Sequence, residues 1–181
     1  MAIIPITVYG DKILRQKAKP INQVTDEIIV KIKNMLDTMH NAYGVGLAAN
    51  QVGYSESMFV VDLNGVDGYK DFKPVVMINP EVLLESDEKV IYEEGCLSLP
   101  TLRADVERAE IIKIRFLDTD ENVKEIEADD FFARVILHEY DHLNGKMIPD
   151  RVAASVKKKL QTELNKITNR EVEIDYEITE K

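Results

Sequence analysis

The chain has 181 residues, of which 45% are hydrophobic, and it carries a formal net charge of −10. This length is enough for a proper core, so we interpret residues 1–181 as a single domain. The acidic balance argues against direct nucleic-acid binding, because phosphate contacts require a basic surface. No stretch resembles a signal peptide or a membrane span, so we predict a cytoplasmic protein without membrane contact.

The first third of the chain predicts an arm followed by a helix. Residues 5–21 read PITVYGDKILRQKAKPI, which is typical of an extended arm around a core, because short apolar stretches alternate with Pro and Gly. A helix is then expected from Thr25, its N-cap, to about Asn41, since apolar residues follow at helical spacing. His40 lies at the end of this helix, where we expect hydrogen bonds with the terminal carbonyls rather than metal binding.

A segment rich in Gly and Ala, Tyr43–Gly53, follows and reads YGVGLAANQVG. It lacks the lysine and hydroxyl residue of a phosphate-binding loop. Its small residues indicate a backbone brought close to another group, with Gln51 as the polar side chain that reaches in. A tight turn with Gln51 facing solvent is the alternative.

The middle of the chain predicts β-structure. Four runs have the composition of strands and are separated by Gly, Asn, Asp and Pro: residues 57–63, 74–80, 89–94 and 111–118. The connections are too short to hold crossover helices, so we expect antiparallel sheets.

Two more helices are predicted after the strands. The first begins near Ala128 and ends at Asn144, and its apolar residues lie all round it, which indicates a helix buried in the middle of the domain. The second runs from about Asp150 or Ser155 to Ile167. Residues 168–181 are acidic and are expected to form a last strand or a loose tail.

The stretch HEYDHLNG, residues 138–145, contains two of the three histidines. His138 and His142 are four residues apart, so on a helix both imidazoles face the same side and can bind one metal ion. Glu139 then lies beside the metal, in the position of a general base. An accidental pair on a solvated helix face is the alternative.

The only cysteine, Cys96, lies in the stretch EEGCLSLP, residues 93–100. A lone cysteine is usually a small buried hydrophobic residue. Beside a helix with two histidines it can instead be the third metal ligand, because catalytic tetrahedral sites use three protein ligands and keep one position for water.

Three stretches in this order, GVGLAANQ (44–51), EGCLS (94–98) and HEYDHLNG (138–145), resemble the signature motifs of the peptide deformylases. LRQKAKPI near the start and INPE before the second motif are also similar to the family, so the resemblance covers roughly residues 5–150. It implies an α+β fold in which antiparallel β-sheets pack around a central metal-binding α-helix, with an additional N-terminal helix and a C-terminal helix. The single domain is then a catalytic domain.

The resemblance also implies a reaction: hydrolytic removal of the formyl group from the N-terminal formyl-methionine of newly synthesised polypeptides, with release of formate. By similarity, Cys96, His138 and His142 bind the metal and Glu139 is the general acid and base. Gln51 and the backbone N–H of Leu97 are then the donors to the oxyanion.

Further residues are assigned around the reacting group. The substrate pocket is expected to be lined by Gly44, Val45, Gly46, Glu94, Gly95, Phe131, Arg134 and Val135. The side chain of Arg134 is expected to cover the pocket with its stem and to keep its charge in water. Glu94, Asp141 and Arg103 are expected to orient the metal ligands.

One divalent metal ion per chain is implied, with Fe²⁺ in the cell and Zn²⁺, Ni²⁺ or Co²⁺ as substitutes in preparations. The implied partners are N-formylmethionyl nascent peptides, and a weak contact with the ribosome is left open. Two rival hypotheses remain at this point. One is a general metallopeptidase, and the other is a metal-bearing protein without catalysis that docks at nascent chains.

Overall fold

The computed structural model describes residues 2–181, which form a chain of alternating sheet and helix elements. The α-helices are α1 (Asp26–Asn41), α2 (Asp130–Leu143) and α3 (Ala154–Asn169). The strands are β1 (Gly46–Ala48), β2 (Met58–Val61), β3 (Val75–Glu85), β4 (Lys89–Cys96), β5 (Leu99–Ala109), β6 (Ile111–Leu117) and β7 (Val123–Asp129). Short 3-10 helices span Lys12–Arg15, Ala49–Val52 and Ile148–Asp150.

The strands form two antiparallel sheets. Five of them pair in the order β1-β2-β3-β6-β7, while β4 and β5 form a separate hairpin. All these pairings are antiparallel, as the short connections predict. The α+β architecture expected from the resemblance is therefore confirmed.

Helix α2 is the central element of this architecture. Ala133, Ile136 and Leu137 are buried in one core cluster with residues from β2 and β3, including Phe59 and Met77. The same helix also contacts β5 of the hairpin, so it lies between the two sheets. The sequence placed its start about two residues early, because Ala128 and Asp129 still pair with β6 at the end of β7.

Helix α1 begins and ends where the sequence predicts. The hydroxyl of Thr25 accepts a hydrogen bond from the backbone N–H of Ile28, which is the contact of an N-cap. The predicted hydrogen bonds between His40 and the terminal helix carbonyls are not the contacts that its side chain makes. Its Nε2 lies 2.8 Å from Oδ2 of Asp62, so the imidazole pairs with a carboxylate rather than with the helix carbonyls.

Strands β5 and β7 were not predicted from the sequence. In β5 charged side chains alternate with apolar ones, and burial alternates in the same way. One face of the strand is therefore exposed to solvent, and the other packs against the core. In β7 only Ala128 is buried, because this strand lies at the edge of the five-stranded sheet. Such strands lack the continuous apolar run on which the prediction relied.

The C-terminal residues form neither a full strand nor a loose tail. Residues 168 and 169 still belong to α3, and Arg170 ends the helix in a left-handed conformation with φ of 62°. Beyond it, Ile178 pairs in parallel with Ile6 of the N-terminal arm through a single isolated bridge. The end of the chain is therefore attached to its beginning.

Candidate active site

Helix α2 brings His138 and His142 onto one face, and their Nε2 atoms lie 3.3 Å apart. Sγ of Cys96 lies 3.2 Å from Nε2 of His142. One atom from each of the three side chains can be chosen so that all lie within 4.8 Å of one another. A thiolate and two imidazoles that converge in this way fit a divalent transition-metal ion. His142 is buried, so the pair does not lie on a solvated helix face.

Cys96 reaches this point because it is the last residue of β4. The pairing of β4 with β5 shifts between Gly95 and Cys96, and this irregularity turns the strand as the hairpin closes. The thiol is partly accessible rather than buried in the core. Cys96 packs against the core cluster that contains Leu99 and Met147 and also reaches His142, so its role as third ligand stays a prediction.

A carboxylate fixes the orientation of His138. Oε2 of Glu94 accepts a hydrogen bond from Nδ1 of His138 at 3.0 Å, which leaves Nε2 facing the cluster. Burial of Glu94 disfavours its charge, but the hydrogen bonds from His138 and Arg108 outweigh burial and hold its pKa well below the ordinary value.

Arg108 holds this carboxylate in place, although the sequence did not single it out. Its Nε lies 2.6 Å and its Nη2 2.9 Å from the two oxygens of Glu94, a bidentate pair. Its Nη1 donates to Oδ2 of Asp141 at 2.8 Å. The side chains of all three residues are at most 5% exposed, so this charge network lies inside the protein.

Asp141 and Arg103 were also expected to orient the ligands. Asp141 is hydrogen-bonded to Arg108 and Arg151 and supports the network one step further from the metal cluster. Arg103 is exposed and lies across from Gly95 in the hairpin, and among residues 2–181 it forms no hydrogen bond or ion pair with the ligands or with Glu94. Its guanidinium lies over Gly95 beside the cavity instead, where a Cβ added at Gly95 would come within 3.1 Å of Nη1, so an orienting role for Arg103 stays a prediction.

Glu139 lies buried beside the cluster, where the H-E-x-x-H spacing puts it. Its Oε2 has no hydrogen-bond partner within the described part of the chain. Burial raises the pKa of its carboxyl group to about 7. The backbone of β1 comes very close: a Cβ added at Gly46 would lie 2.5 Å from Oε1 of Glu139. The Gly-rich segment thus lets a strand approach the carboxylate.

Gln51 is 1% exposed, so the solvent-facing alternative is wrong. Its Oε1 accepts a hydrogen bond from the N–H of Ala48 at 2.8 Å. This contact turns Nε2 towards the cluster, where it lies 3.2 Å from Oγ of Ser98 and 3.5 Å from Sγ of Cys96. The amide therefore presents its donor end to the site.

The site opens into a cavity of about 520 Å³. The cavity is lined by Gln51, Cys96, Leu97, Arg103, His138 and Glu139, and by all eight expected pocket residues: Gly44, Val45, Gly46, Glu94, Gly95, Phe131, Arg134 and Val135. His142 and Asp141 are buried and do not line the cavity.

The expectation that Arg134 keeps its charge in water is wrong. The residue is 5% exposed, and its guanidinium donates to Glu94 at 2.8 Å and to the carbonyl of Val90 at 2.6 Å. The charge is therefore neutralised inside the protein, under the ring of Tyr92 at 5.0 Å.

Comparison with known proteins identifies the family. The sequence model described as polypeptide deformylase matches residues 3–158. A peptide deformylase of Salinibacter ruber is 41% identical over 99% of this chain and 95% of its own length, and one of Rickettsia typhi is 42% identical over 93% and 98%. The chain belongs to the polypeptide deformylase family.

Solved deformylase structures share the fold. That of Thermotoga maritima is 40% identical, covers 84% of this chain and 99% of its own, and superposes with a TM-score of 0.79. That of Ehrlichia chaffeensis in complex with actinonin is 31% identical and covers 96% of this chain and all of its own, with a TM-score of 0.85. The chain is thus a deformylase-family hydrolase that removes the N-formyl group from nascent peptides, and its Cys96, His138 and His142 form a cluster able to hold a metal.

Arg108 and Tyr176 are among the residues at this deformylase site that the sequence analysis did not single out. Arg108 could have been found from the alternation of Leu102, Ala104 and Val106, which puts an arginine at the next inward position of β5. Tyr176 also lines the cavity, from the far end of the chain. No local sequence pattern predicts that Tyr176 belongs to the site, because only the tertiary fold brings this residue there.

Proposed function

We propose that Cys96, His138 and His142 bind one divalent metal ion and that Glu139 transfers protons during deformylation of N-formylmethionyl peptides. The observation that carries the proposal is the convergence of three ligand atoms beside a buried carboxylate whose Oε2 has no hydrogen-bond partner among residues 2–181. A docking protein without catalysis would gain nothing from such a carboxylate, since its burial is costly.

The ion, when bound, would lower the pKa of a water molecule and polarise the formyl oxygen. Glu139 accepts the proton of this water as hydroxide adds to the formyl carbon. The carboxyl group then passes the proton to the amine nitrogen as the C–N bond breaks, so that formate and a free N-terminus leave. A pKa near neutrality suits a group that must act first as base and then as acid.

Negative charge develops on the formyl oxygen during the attack. The amide of Gln51 and the backbone N–H of Leu97 are the proposed donors to this oxygen. The two hydrogen bonds that Gln51 makes with Ala48 and Ser98 support this role, because they fix the amide before the substrate arrives. Preorganised donors need no rearrangement during the reaction.

Selectivity for the formyl group would come from shape. Gly44 and Gly46 bring the backbone close to Leu97 and Glu139, where an added Cβ would lie 2.8 Å and 2.5 Å from side-chain atoms. A formyl carbon carries only hydrogen and fits such a narrow site, whereas an internal peptide bond carries a full residue there. Val45, Phe131 and Val135 are proposed to contact the methionine side chain, with Glu94, Gly95 and Arg134 forming the adjoining wall.

The proposal also names the metal ion that the three ligands bind. We propose Fe²⁺ in the cell, with Zn²⁺, Ni²⁺ or Co²⁺ as substitutes. Thiolate and imidazole ligands accept all four ions, and the affinity order alone favours Zn²⁺ over Fe²⁺. Metal analysis of protein isolated without oxygen from its own cells tests this choice, because an iron site with a partly accessible thiolate is sensitive to oxidation.

We also infer that residues 1–181 act as one catalytic domain, since residues of both sheets, of α2 and of the C-terminal segment line the same cavity. The N-terminal arm is joined to them by backbone hydrogen bonds with Ser98 and Glu177. Among residues 2–181 no helix is both long and apolar enough to cross a bilayer. A cytoplasmic location and a weak ribosome contact stay predictions. Three consecutive lysines, residues 157–159, form a basic run on α3. They add little support for a ribosome contact, because Nζ of Lys157 lies 3.4 Å from a carboxylate oxygen of Asp150.

The Glu139→Gln variant tests the proton-transfer role, with Glu127→Gln on the exposed edge strand as the matched control. We expect Glu139→Gln to bind one metal ion per chain but to release formate at least about 100-fold more slowly. The control should equal the wild type. Full activity of Glu139→Gln would refute the role, and cleavage of unformylated peptides by the wild type would favour the general metallopeptidase.

A further inference from the structure

The C-terminal segment, residues 170–181, lies beyond the family match, which ends at residue 158. It nevertheless reaches the active site. Tyr176 is half-buried, lines the cavity of about 520 Å³, and donates a hydrogen bond from its hydroxyl to the carbonyl of Leu97 at 2.8 Å. A residue from outside the matched region thus contacts the backbone next to the metal ligand Cys96.

The C-terminal segment is fixed on both sides of Tyr176. After it, the carbonyl of Glu177 accepts from the N–H of Ile6, and the N–H of Thr179 donates to the carbonyl of Ile6, both at 2.9 Å. Before it, Arg170 forms an ion pair with Asp11 at 2.6 Å. These contacts attach the segment to the N-terminal arm, so the position of Tyr176 does not depend on its own hydrogen bond alone.

The backbone at Leu97 and Ser98 is held from three directions. The N–H of Tyr9 donates to the carbonyl of Ser98 at 2.9 Å, and Nε2 of Gln51 lies 3.2 Å from Oγ of Ser98. The hydroxyl of Tyr176 binds the preceding carbonyl, that of Leu97. Of these three contacts, only the one from Tyr176 acts on Leu97 itself, whose N–H is a proposed donor to the oxyanion.

We propose that Tyr176 is a positioning residue for deformylation: its hydroxyl fixes the Leu97 backbone, so that the Leu97 N–H is aimed at the formyl oxygen. The proposal rests on the proposed function, because it assumes the donor role of Leu97. Tyr176 acts through Leu97 and is not itself a group that transfers protons. Burial raises the pKa of its hydroxyl above the ordinary value, which favours the protonated, donating form.

The Tyr176→Phe variant removes only the hydroxyl, and Tyr54→Phe is the matched control. The ring of Tyr54 packs against Lys31 at 5.2 Å and lies outside the cavity. Both variants are loaded with the same metal and assayed on a formyl-methionyl peptide well below their melting temperatures. Loss of one neutral hydrogen bond should lower kcat of Tyr176→Phe about 3- to 10-fold, because the donor is less well aimed. KM should change by less than about twofold, since ground-state binding is retained.

The carbonyl ¹³C resonance of Leu97 supplies a readout that does not depend on activity. It should move in Tyr176→Phe and stay in place in Tyr54→Phe. An unchanged kcat would overturn the proposal, and so would a rise in KM alone, which would make Tyr176 only a wall of the pocket. A loss of thermal stability with unchanged kcat would overturn it as well. No formate release by the metal-loaded wild type would overturn the proposed function itself, and this inference with it.

Discussion

Replacing Arg108 by Met tests the buried charge network behind the metal cluster. The methionine side chain fills a similar space, but it removes the charge that joins Glu94 to Asp141. Both carboxylates are 5% exposed, so water cannot replace the lost partner. Removing one member of a buried ion pair costs about 3–5 kcal/mol, because it leaves a buried charge uncompensated.

The structure favours the lower part of that range. After the substitution Glu94 keeps its ion pair with Arg134, and Asp141 keeps the one with Arg151. At about 2–4 °C per kcal/mol for a chain of this size, the melting temperature should fall by roughly 6–12 °C for a loss of about 3 kcal/mol. Metal affinity should also weaken about tenfold, since Glu94 no longer holds His138 as firmly.

The assay is denaturant unfolding of the metal-free protein, followed by metal titration of the same variant. Arg103→Met is the matched control for stability, because Arg103 lies on the same strand but on the exposed face. If Arg108→Met unfolds within about 1 kcal/mol of Arg103→Met, the reasoning about burial and charge is refuted.

Three further predictions follow from the same site. Gly46→Ala should lower kcat by about 10-fold or more at unchanged metal content, because the new Cβ would lie 2.5 Å from Oε1 of Glu139 and must displace it. The free energy of unfolding of the metal-free protein, measured by urea titration, should fall as the pH drops below about 4.5, whereas between about pH 7 and pH 5 the raised pKa of Glu139 acts in the opposite sense. The fall in acid has this sign because the folded protein lowers the pKa values of Glu94 and Asp141 below their ordinary 4.5 and 3.8, so the unfolded chain takes up protons first; stability that keeps rising below about pH 4 would contradict it. Metal at about 100 times its Kd should add about 2.7 kcal/mol of stability in the wild type and far less in Cys96→Ser, and equal gains by calorimetry would argue against the thiolate ligand.

Much of the site could be read from the sequence, because its parts depend on local spacing. The separation of His138 and His142 fixes both imidazoles on one face of a helix. Small residues around Gly46 signal a close backbone approach without naming what lies there. The antiparallel sheets follow from connections too short for crossover helices.

The remaining features depend on contacts between distant parts of the chain. Whether Arg103 or Arg108 turns inward depends on the register of β5, and this strand was hidden by its charged outward face. Arg134 was expected in water because nothing local reveals that it meets Glu94 from another element. Tyr176 lies 79 residues from its partner Leu97, and only folding brings the two together.

Formate release measures the central claim most directly. Protein loaded with Fe²⁺ without oxygen is given a formyl-methionyl peptide, the same peptide with an acetyl group, and the same peptide with a free amine. We predict rapid release of formate from the first, with no hydrolysis of the acetyl group in the second and no cleavage of the third. Metal-loaded protein that releases no formate, or that hydrolyses all three peptides, would contradict the account.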